Sequence, residues 1–277
     1  MRNDTRGDIE NHYGLNALLD SILRALAEAG KDIDRLTPAD LAPVDEFHIR
    51  GREATLELAG RTAIEAGMRV LDVGCGIGGS ARHLATGHGC HVTGIDLTRD
   101  FIEVATALAE RTGLSDRVAF DHGSATELPY APASFDLVWT EHVQMNIADK
   151  GAFYGEIARV LKPGGRLLFH DIFSADGDEP WYPVPWAGDP SISFLERVDR
   201  VPDILRTAGL QVEVWEDRSS DSLAWFRNTV ARVRDSGPAP LGLHLLMGAG
   251  TLPKFENLIR NLQESRITVI QSVAVKT

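Results

Sequence analysis

The apolar residues of the chain follow two alternating patterns over most of its length. Short runs rich in Val, Ile and Leu predict β-strands, and longer segments with apolar residues three and four apart predict α-helices. The predicted strands are 69–73, 91–96, 117–120, 135–139, 165–173, 211–215 and 267–275. The predicted helices are 15–29, 52–66, 79–86, 98–112, 149–161, 201–208, 222–234 and 252–265, with a polar linker containing Pro38 and Pro43 after the first.

The alternation of strands and helices predicts the fold class. Such βαβ units form a parallel sheet that is covered by helices on both faces. We predict an α/β, Rossmann-like, doubly wound sheet of seven strands, mostly parallel with an antiparallel last strand, plus helical lid insertions. We divide the chain into an N-terminal helical cap segment, 1–45, and one domain, 46–277, with lid insertions at about 174–200 and 219–265.

A glycine-rich turn joins the first predicted strand to its helix, in the run Val70-Leu71-Asp72-Val73-Gly74-Cys75-Gly76-Ile77-Gly78-Gly79. Glycine lets the backbone turn sharply and approach a ligand without a clash at Cβ. Doubly wound sheets bind their ligands at such strand-to-helix turns, where the helix also presents unpaired N–H groups. The turn fits binders of nicotinamide and flavin cofactors as well, and a tight turn without a ligand is the alternative.

An acidic residue ends the second predicted strand. Asp96 follows Asp72 by 24 residues, and a carboxylate at this place can accept hydrogen bonds from both hydroxyls of a ribose. The same spacing fits a dinucleotide-dependent dehydrogenase, and a solvated loop acid is the alternative. The two motifs together predict a nucleoside-containing cofactor.

Composition narrows the class of protein. The 277 residues are 43% hydrophobic and 25% charged, which excludes intrinsic disorder and a collagen-like fibre. With 28 Lys and Arg against 40 Asp and Glu, the net charge of −12 weighs against a nucleic-acid partner.

The cysteines and histidines bear on the cellular compartment and on metal binding. Two cysteines, Cys75 and Cys90, are too few for a disulfide framework or a cysteine-rich zinc site, and they favour a reducing compartment. The histidines form no metal-ligand pattern, so we expect no metal. We find no signal peptide and no apolar run of the length that spans a bilayer, so we expect a cytoplasmic protein. The oligomeric state stays open.

Five motifs in order resemble those of the class I S-adenosylmethionine (SAM)-dependent methyltransferases. The match covers about 46–173. Its parts are the glycine-rich run with Asp72 inside the strand, the ribose motif 93–98, the adenine loop 123–130, the strand motif 134–139 and the turn Leu161-Lys162-Pro163-Gly164-Gly165-Arg166-Leu167. The chain looks most like the small-molecule branch, which includes the sarcosine/dimethylglycine N-methyltransferases and the ubiquinone/menaquinone C-methyltransferases. His12-Tyr13-Gly14 and the segment 45–51 are similar to the former.

The resemblance implies SAM as cofactor, S-adenosylhomocysteine as product, and a set of binding roles. Asp72 orients the methionine amino group, Asp96 holds the ribose, and Glu141 faces the methyl centre. The implied cofactor-binding residues are Asp72, Gly74, Cys75, Gly76, Asp96, Leu97, Ser124, Ala125 and Glu141. Ser124 stands where many relatives carry Asp.

Residues outside these motifs are candidates for the acceptor side. We expect catalytic roles for Glu141 and His142; His142 is a base or an orienting group, or alternatively a surface histidine. As we align them, the N-methyltransferase relatives often carry histidine where this chain has Asn146. Aromatic residues after the fifth strand form a cation–π wall for an ammonium group, an apolar pocket, or simple lid packing. The expected substrate-binding residues are Tyr13, Gln144, Asn146, Trp181 and Trp186.

These expectations combine into a functional prediction. We expect a SAM-dependent enzyme that methylates a small-molecule acceptor, with N-methylation of an amine favoured slightly over O- or C-methylation. The alternatives are a SAM-binding protein of this fold without methyl transfer and an NAD-type oxidoreductase. Asp72 within the strand, the adenine loop and the turn after Leu161 count against the oxidoreductase.

Overall fold

A computed structural model describes residues 18–175 and 178–277. The strands are β1 (Arg69–Val73), β2 (His91–Asp96), β3 (Val118–His122), β4 (Phe135–Glu141), β5 (Leu161–Ser174), β6 (Leu210–Asp217) and β7 (Ile267–Lys276). The helices are α1 (Leu18–Glu28), α2 (Pro38–Asp45), α3 (Arg52–Ala59), α4 (Gly79–His88), α5 (Arg99–Arg111), α6 (Lys150–Val160), α7 (Val201–Thr207), α8 (Ser219–Ser236), α9 (His244–Met247) and α10 (Thr251–Gln263). Short 3₁₀ turns lie at Gln144–Asn146, Pro190–Ile192 and Gly248–Gly250.

The seven strands form one sheet in the order β3-β2-β1-β4-β5-β7-β6. Strands β1 to β5 pair in parallel, and β7 runs antiparallel to both β5 and β6. The predicted Rossmann-like sheet with an antiparallel last strand is therefore confirmed. The order reverses at β1, which places the carboxyl ends of β1, β2 and β4 around one crevice.

Both faces of the sheet are buried. Val138 packs in the cluster beneath α6 and α7, whereas its neighbours Leu137 and Trp139 pack in the cluster beneath α3 and α4. Successive strand residues point to opposite faces, so a strand buried on both sides is apolar at most positions. This explains why the strands appear in the sequence as continuous apolar runs.

The structure corrects the predicted polar linker after the first helix, because residues 38–45 form α2. Pro38 stands at the first helical position, where its missing N–H costs no hydrogen bond. Thr37 and Asp40 form a capping box, in which the Thr37 N–H donates to Asp40 Oδ2 at 2.9 Å. The two prolines thus belong to a short capped helix that ends at Asp45 and is followed directly by Glu46.

Other predicted boundaries also shift. The predicted helix 52–66 ends at Ala59, because Gly60 caps it. The pattern misses α9, a single turn in the insertion between β6 and β7. Residues 15–17 of the first predicted helix lie outside the described residues.

The insertion between β6 and β7 covers the carboxyl edge of the sheet. Helix α10 packs against α8, and α9 contacts α1. Leu246 of α9 belongs to the apolar cluster of α1 and α5, while the adjacent Met247 belongs to the cluster of Trp186, Phe226 and Phe255. The insertion therefore joins the N-terminal helices to the segment after β5. No helix within the described ranges is long and apolar enough to cross a membrane.

Candidate active site

A deep cleft lies over the carboxyl ends of β1, β2 and β4, where the fold predicts a ligand site. The N-terminal segment at Glu46–Ile49 closes one side, and α8, α9 and α10 close another. The lining includes Asp45, Glu46, Phe47, His48, Asp72, Gly74, Cys75, Gly76, Asp96, Leu97, Ser124, Ala125, Glu141, His142, Met145, Asn146, Ile172, Trp186, Trp225, Phe226, Leu243, Leu246, Phe255 and Leu258.

The glycine-rich turn has the left-handed backbone that its sequence requires. Gly74 has φ +72°, and a Cβ there would lie 2.2 Å from Val143 Cγ2, so this glycine admits the loop after β4. Gly76 has φ +53°, and a Cβ there would meet no atom within 4 Å because the position opens into the cleft. The first glycine therefore makes room for the loop after β4 while lining the cleft, and the second leaves room for a ligand.

Asp96 is held in place at the end of β2 by two backbone donors. The Gly76 N–H donates to Asp96 Oδ2 at 2.9 Å, and the Thr98 N–H donates to Oδ1 at 2.8 Å. Each carboxylate oxygen keeps acceptor capacity for a ligand hydroxyl. Leu97, Ser124 and Ala125 line the cleft beside it.

Two buried carboxyl groups at the ends of β1 and β4 have oxygens without a partner. Asp72 is 2% exposed, and neither its Oδ2 nor Glu141 Oε1 has a hydrogen-bond partner. Burial, reinforced by the charges of Glu141 and Asp96, raises the pKa of Asp72 well above its usual value. Burial also raises the pKa of Glu141. The charge of His48 opposes this rise in the pKa of both groups but does not cancel it.

The described lining holds more acidic than basic side chains. Asp45, Glu46, Asp72, Asp96 and Glu141 supply carboxyl groups, and no described residue of the lining is Lys or Arg. Asp45 is paired with Arg82 behind the cleft, and Glu46 is paired with Arg52. The unpartnered carboxyl oxygens on the glycine-turn side therefore suit a cationic ligand.

Three histidines cluster next to Glu141. The ring of His142 stacks on that of His170 with centroids 5.2 Å apart, and His48 lies with its centroid 6.0 Å from each. The His142 N–H donates to the His170 carbonyl at 2.9 Å, and His142 has φ +53°. Within the described ranges, no group of three or more His, Cys, Asp or Glu side chains could hold a metal ion.

The three imidazoles differ in charge state. Burial lowers the pKa of His142 well below its usual value, and His170 and His48 lower it further. Burial likewise lowers the pKa of His170 to about 3. His142 is thus a neutral imidazole at the cleft, and its Nε2 has no hydrogen-bond partner.

His48 carries the opposite charge state because two carboxylates flank it. Its Nε2 lies 3.4 Å from Glu141 Oε2 and 3.5 Å from Glu46 Oε2. Burial alone would lower the pKa of His48, but the charges of Glu141 and Glu46 outweigh it and raise the pKa to about 9. This cation ties the N-terminal segment to the end of β4.

The cleft wall formed by α8, α10 and the segments after β4 and β5, here called the lid side, is apolar and aromatic. Met145, Ile172, Trp186, Phe226 and Phe255 pack there as one buried cluster. The ring centroids of Phe226 and Phe255 lie 5.2 Å apart. Such a wall favours an apolar ligand beside the polar glycine-turn side.

The structure brings most of the predicted site residues to the cleft. All the predicted cofactor-binding residues line it, as do His142, Asn146 and Trp186. The Asn146 side chain also donates to the carbonyls of Trp186 and Ile192 at 3.0 and 2.8 Å.

Two predicted substrate-binding residues are placed elsewhere, and a third is outside the described residues. Gln144 is buried away from the cleft, and its amide donates to the Ile172 carbonyl. Trp181 is 38% exposed on the outer surface, where Arg260 stacks at 3.6 Å from its ring and Glu264 accepts its N–H. These contacts correct both expectations. Tyr13 lies outside the described residues.

The sequence alone does not indicate that His48 carries a charge beside Glu141, or that Trp225 lines the cleft. The segment 45–51 attracts notice only through its similarity to relatives, because the pairing of His48 with the sequence-distant Glu141 leaves no periodic signal. Trp225 sits on a helix whose pattern predicts lid packing.

The His48 pair predicts how folding stability depends on pH. The pKa of His48 is about 9 in the folded chain against 6.5 for the ordinary side chain. The stabilisation is therefore fully present below pH 6.5 and is lost as the pH rises through about 9. We expect the melting temperature of the wild type to fall over this interval more steeply than that of His48→Gln. Equal slopes in a calorimetric pH series would contradict the assigned charge.

Comparison with known proteins finds methyltransferases, in agreement with the geometry of the cleft. The family model described as "Methyltransferase domain" matches residues 64–181. Methyltransferase GfsG of Streptomyces halstedii is 33% identical over 231 residues, which span 82% of this chain and 75% of that protein. The 27-O-demethylrifamycin SV methyltransferase of Amycolatopsis mediterranei is 36% identical over 173 residues, or 60% of this chain and 62% of that protein.

A solved structure shows the same fold over almost the whole chain. A putative sarcosine dimethylglycine methyltransferase from Galdieria sulphuraria superposes with a TM-score of 0.70 at 20% identity, covering 95% of this chain and 99% of that one. The relatives include O-, C- and N-methyltransferases, so the family does not determine the acceptor atom. The sequence match along most of both chains and the carboxylate-lined cleft lead to one conclusion: the chain belongs to the class I SAM-dependent methyltransferases and is a small-molecule methyltransferase.

Proposed function

We propose that this enzyme methylates a hydroxyl oxygen of an uncharged, largely apolar small molecule, and that His142 is the general base. The observation that carries the proposal is the neutral imidazole of His142, whose Nε2 has no partner, in a cleft whose lid-side wall is aromatic. The proposal departs from the slight preference of the sequence for an amine.

The residues of the glycine-turn side fit SAM. The unpartnered oxygens of Asp72 and Glu141 suit a cationic ligand with an ammonium group, and Asp96 has acceptor capacity for ribose hydroxyls. Gly76 leaves open space where a side chain would project into the cleft. We assign cofactor binding to Asp72, Gly74, Cys75, Gly76, Asp96, Leu97, Ser124, Ala125 and Glu141. When bound, SAM supplies a methyl group on a sulfonium that is already electrophilic.

A hydroxyl acceptor needs help that a neutral amine does not. Its proton must leave as the new bond forms, and a positioned base accelerates such a step. Burial keeps His142 neutral at pH 7, so its Nε2 can accept a proton there.

The charges around the acceptor side favour an uncharged molecule. A phosphate or carboxylate would require Lys or Arg, which the described lining lacks. Asp45 and Glu46 are bound to Arg82 and Arg52, so they offer no free carboxylate to an ammonium acceptor. Trp186, Phe226 and Phe255 instead offer apolar surface to rings or chains.

The relatives supply partial support. The relative from Amycolatopsis mediterranei is named for methylation of 27-O-demethylrifamycin SV, an O-demethylated compound, and it shares 36% identity over 173 residues. The Galdieria structure is named for the amines sarcosine and dimethylglycine and supports the fold alone at 20% identity. An amine acceptor is therefore the second candidate.

A methyl-transfer screen tests the proposal. The full chain is incubated with methyl-labelled SAM and a panel of phenols, hydroxylated macrocycles and isoprenoid alcohols, matched by amines of the same carbon skeleton. We expect labelled ethers and an equal amount of S-adenosylhomocysteine. Labelled amines in the absence of any labelled ether would overturn the proposal.

Replacing His142 tests its role as base. We expect His142→Ala to lower kcat by about 10²- to 10⁴-fold, because a general base contributes on that scale, while the SAM dissociation constant is unchanged. His91→Gln, at an exposed histidine that begins β2, serves as the control and should keep full activity. The wild-type rate should hold as the pH falls through 6.5, because the pKa of His142 lies well below that value. A His142→Ala variant with wild-type kcat excludes the assignment.

Replacing Gly76 tests the cofactor site. We expect Gly76→Val to weaken SAM binding by about 100-fold or more, equivalent to about 2.8 kcal/mol, because the branched side chain enters the cleft. Gly113→Val is a matched control: Gly113 also has positive φ, at +67°, a Cβ there would meet no atom within 4 Å, and the residue is exposed beyond α5. Both variants carry the same backbone strain, so calorimetry that finds equal SAM affinities would place the cofactor elsewhere.

A further inference from the structure

Two buried charged side chains lie behind the loop that follows β4. Lys150 is 6% exposed and Asp171 is 1% exposed, and neither lines the cleft. Burying a charge is costly unless its surroundings compensate it, so each group needs a physical reason to be there. Both charged groups bind backbone groups of residues 142–147, the loop that carries His142.

Asp171 binds the amino end of this loop. Its Oδ2 accepts the backbone N–H groups of Val143 and Gln144, each at 3.1 Å. Its Oδ1 accepts the N–H of Ile172 at 2.8 Å. One carboxylate on β5 therefore fixes the two residues that directly follow His142.

Lys150 binds the carbonyl groups of the same loop. Its Nζ donates to the Gln144 carbonyl at 2.8 Å and also to the Ile147 carbonyl. A further hydrogen bond reaches the Phe194 carbonyl at 2.6 Å, in the segment after β5. The ammonium thus uses three donors on backbone oxygens and joins the loop to the segment that carries Trp186.

We propose that Asp171 and Lys150 are positioning residues that hold His142 in the cleft by binding the N–H groups and the carbonyl groups of its loop from opposite ends. The role assigned to His142 rests on the proposed function, whereas the fixing of the loop does not. The left-handed backbone of His142 explains why its loop needs these contacts. A φ of +53° is unfavourable for this residue, so the neighbouring contacts must hold it there.

Both groups are charged near neutral pH. Burial raises the pKa of Asp171 to about 6, against the opposing effect of its three N–H donors. Burial lowers the pKa of Lys150 to about 8, against the charges of Asp171 and Glu196. A carboxylate and an ammonium bind backbone dipoles more strongly than neutral groups do, which suits a loop under strain.

The test combines three measurements on Lys150→Met, which keeps a long side chain and removes all three donors. We expect amide hydrogen exchange in residues 142–147 to accelerate by about tenfold or more, because local opening becomes easier. Calorimetry should find the SAM dissociation constant unchanged. With an acceptor from the methyl-transfer screen, kcat should fall by about 100-fold, because a misplaced catalytic group costs on that scale.

Lys162→Met is the matched control. Lys162 lies at the start of β5 next to α6, and its Nζ is paired with Asp136 on a half-exposed surface remote from the cleft. We expect neither exchange in 142–147 nor kcat to change in this variant. Asp171→Asn is the second test, used also if Lys150→Met fails to fold; it keeps the shape and one acceptor oxygen, and should loosen the same loop.

The outcomes separate the two proposals. Unchanged hydrogen exchange in the loop and unchanged kcat in a folded Lys150→Met or Asp171→Asn variant would overturn the positioning role. Faster exchange throughout the protein together with weaker SAM binding would also overturn it, because it would indicate a general loss of stability. If the screen yields only an amine product, the hydroxyl proposal fails, but the exchange and SAM measurements still decide the positioning of the loop.

Discussion

The rest of the site depends on an excess of carboxyl groups over cations at the carboxyl ends of β1 and β4, a net deficit of positive charge that His48 beside Glu141 offsets only in part. Parallel pairing brings Asp72 and Glu141 into one buried cleft, and each retains an oxygen without a partner. The usual remedy, a nearby Lys or Arg, is missing from the described lining. Because an unpaired buried carboxylate is unfavourable, the cleft gains free energy when a cationic ligand enters it. SAM, the cofactor of this family, has that charge.

The surroundings of this deficit divide the cleft into two halves with different chemistry. On one half, Asp96 and the glycine turn present polar groups that are fixed by backbone hydrogen bonds. On the other, the insertion between β6 and β7 supplies an aromatic wall. His142 lies between them, neutral, with its loop held by Asp171 and Lys150. Cofactor chemistry is thus separated from acceptor recognition, which lets one fold serve acceptors of different kinds.

The sequence predicts the half of the site that is local and leaves out the half that is assembled. Asp72 lies within β1, Gly76 lies in the turn after it and Asp96 ends β2, so a strand pattern and a glycine spacing locate them. Trp181 and Trp186 share the same irregular segment, yet only Trp186 faces the cleft, because Arg260 and Glu264 hold Trp181 on the surface. The contacts of His48 with Glu141 and of Lys150 with Phe194 join residues far apart in the chain, and no periodicity encodes them. Helix α2 has the sequence pattern of a linker because proline at a first helical position resembles a break.

Counting protons during SAM binding tests the charge deficit most directly. Titration calorimetry of the full chain at neutral pH, in buffers of different ionisation enthalpy, measures the protons exchanged per SAM bound. The pKa of Asp72 is raised well above its usual value despite the opposing charge of His48, and a bound cation favours its ionised form. We therefore predict net proton release by the wild type and less release by Asp72→Asn. Binding without proton release, and with the same affinity in both proteins, would contradict the account.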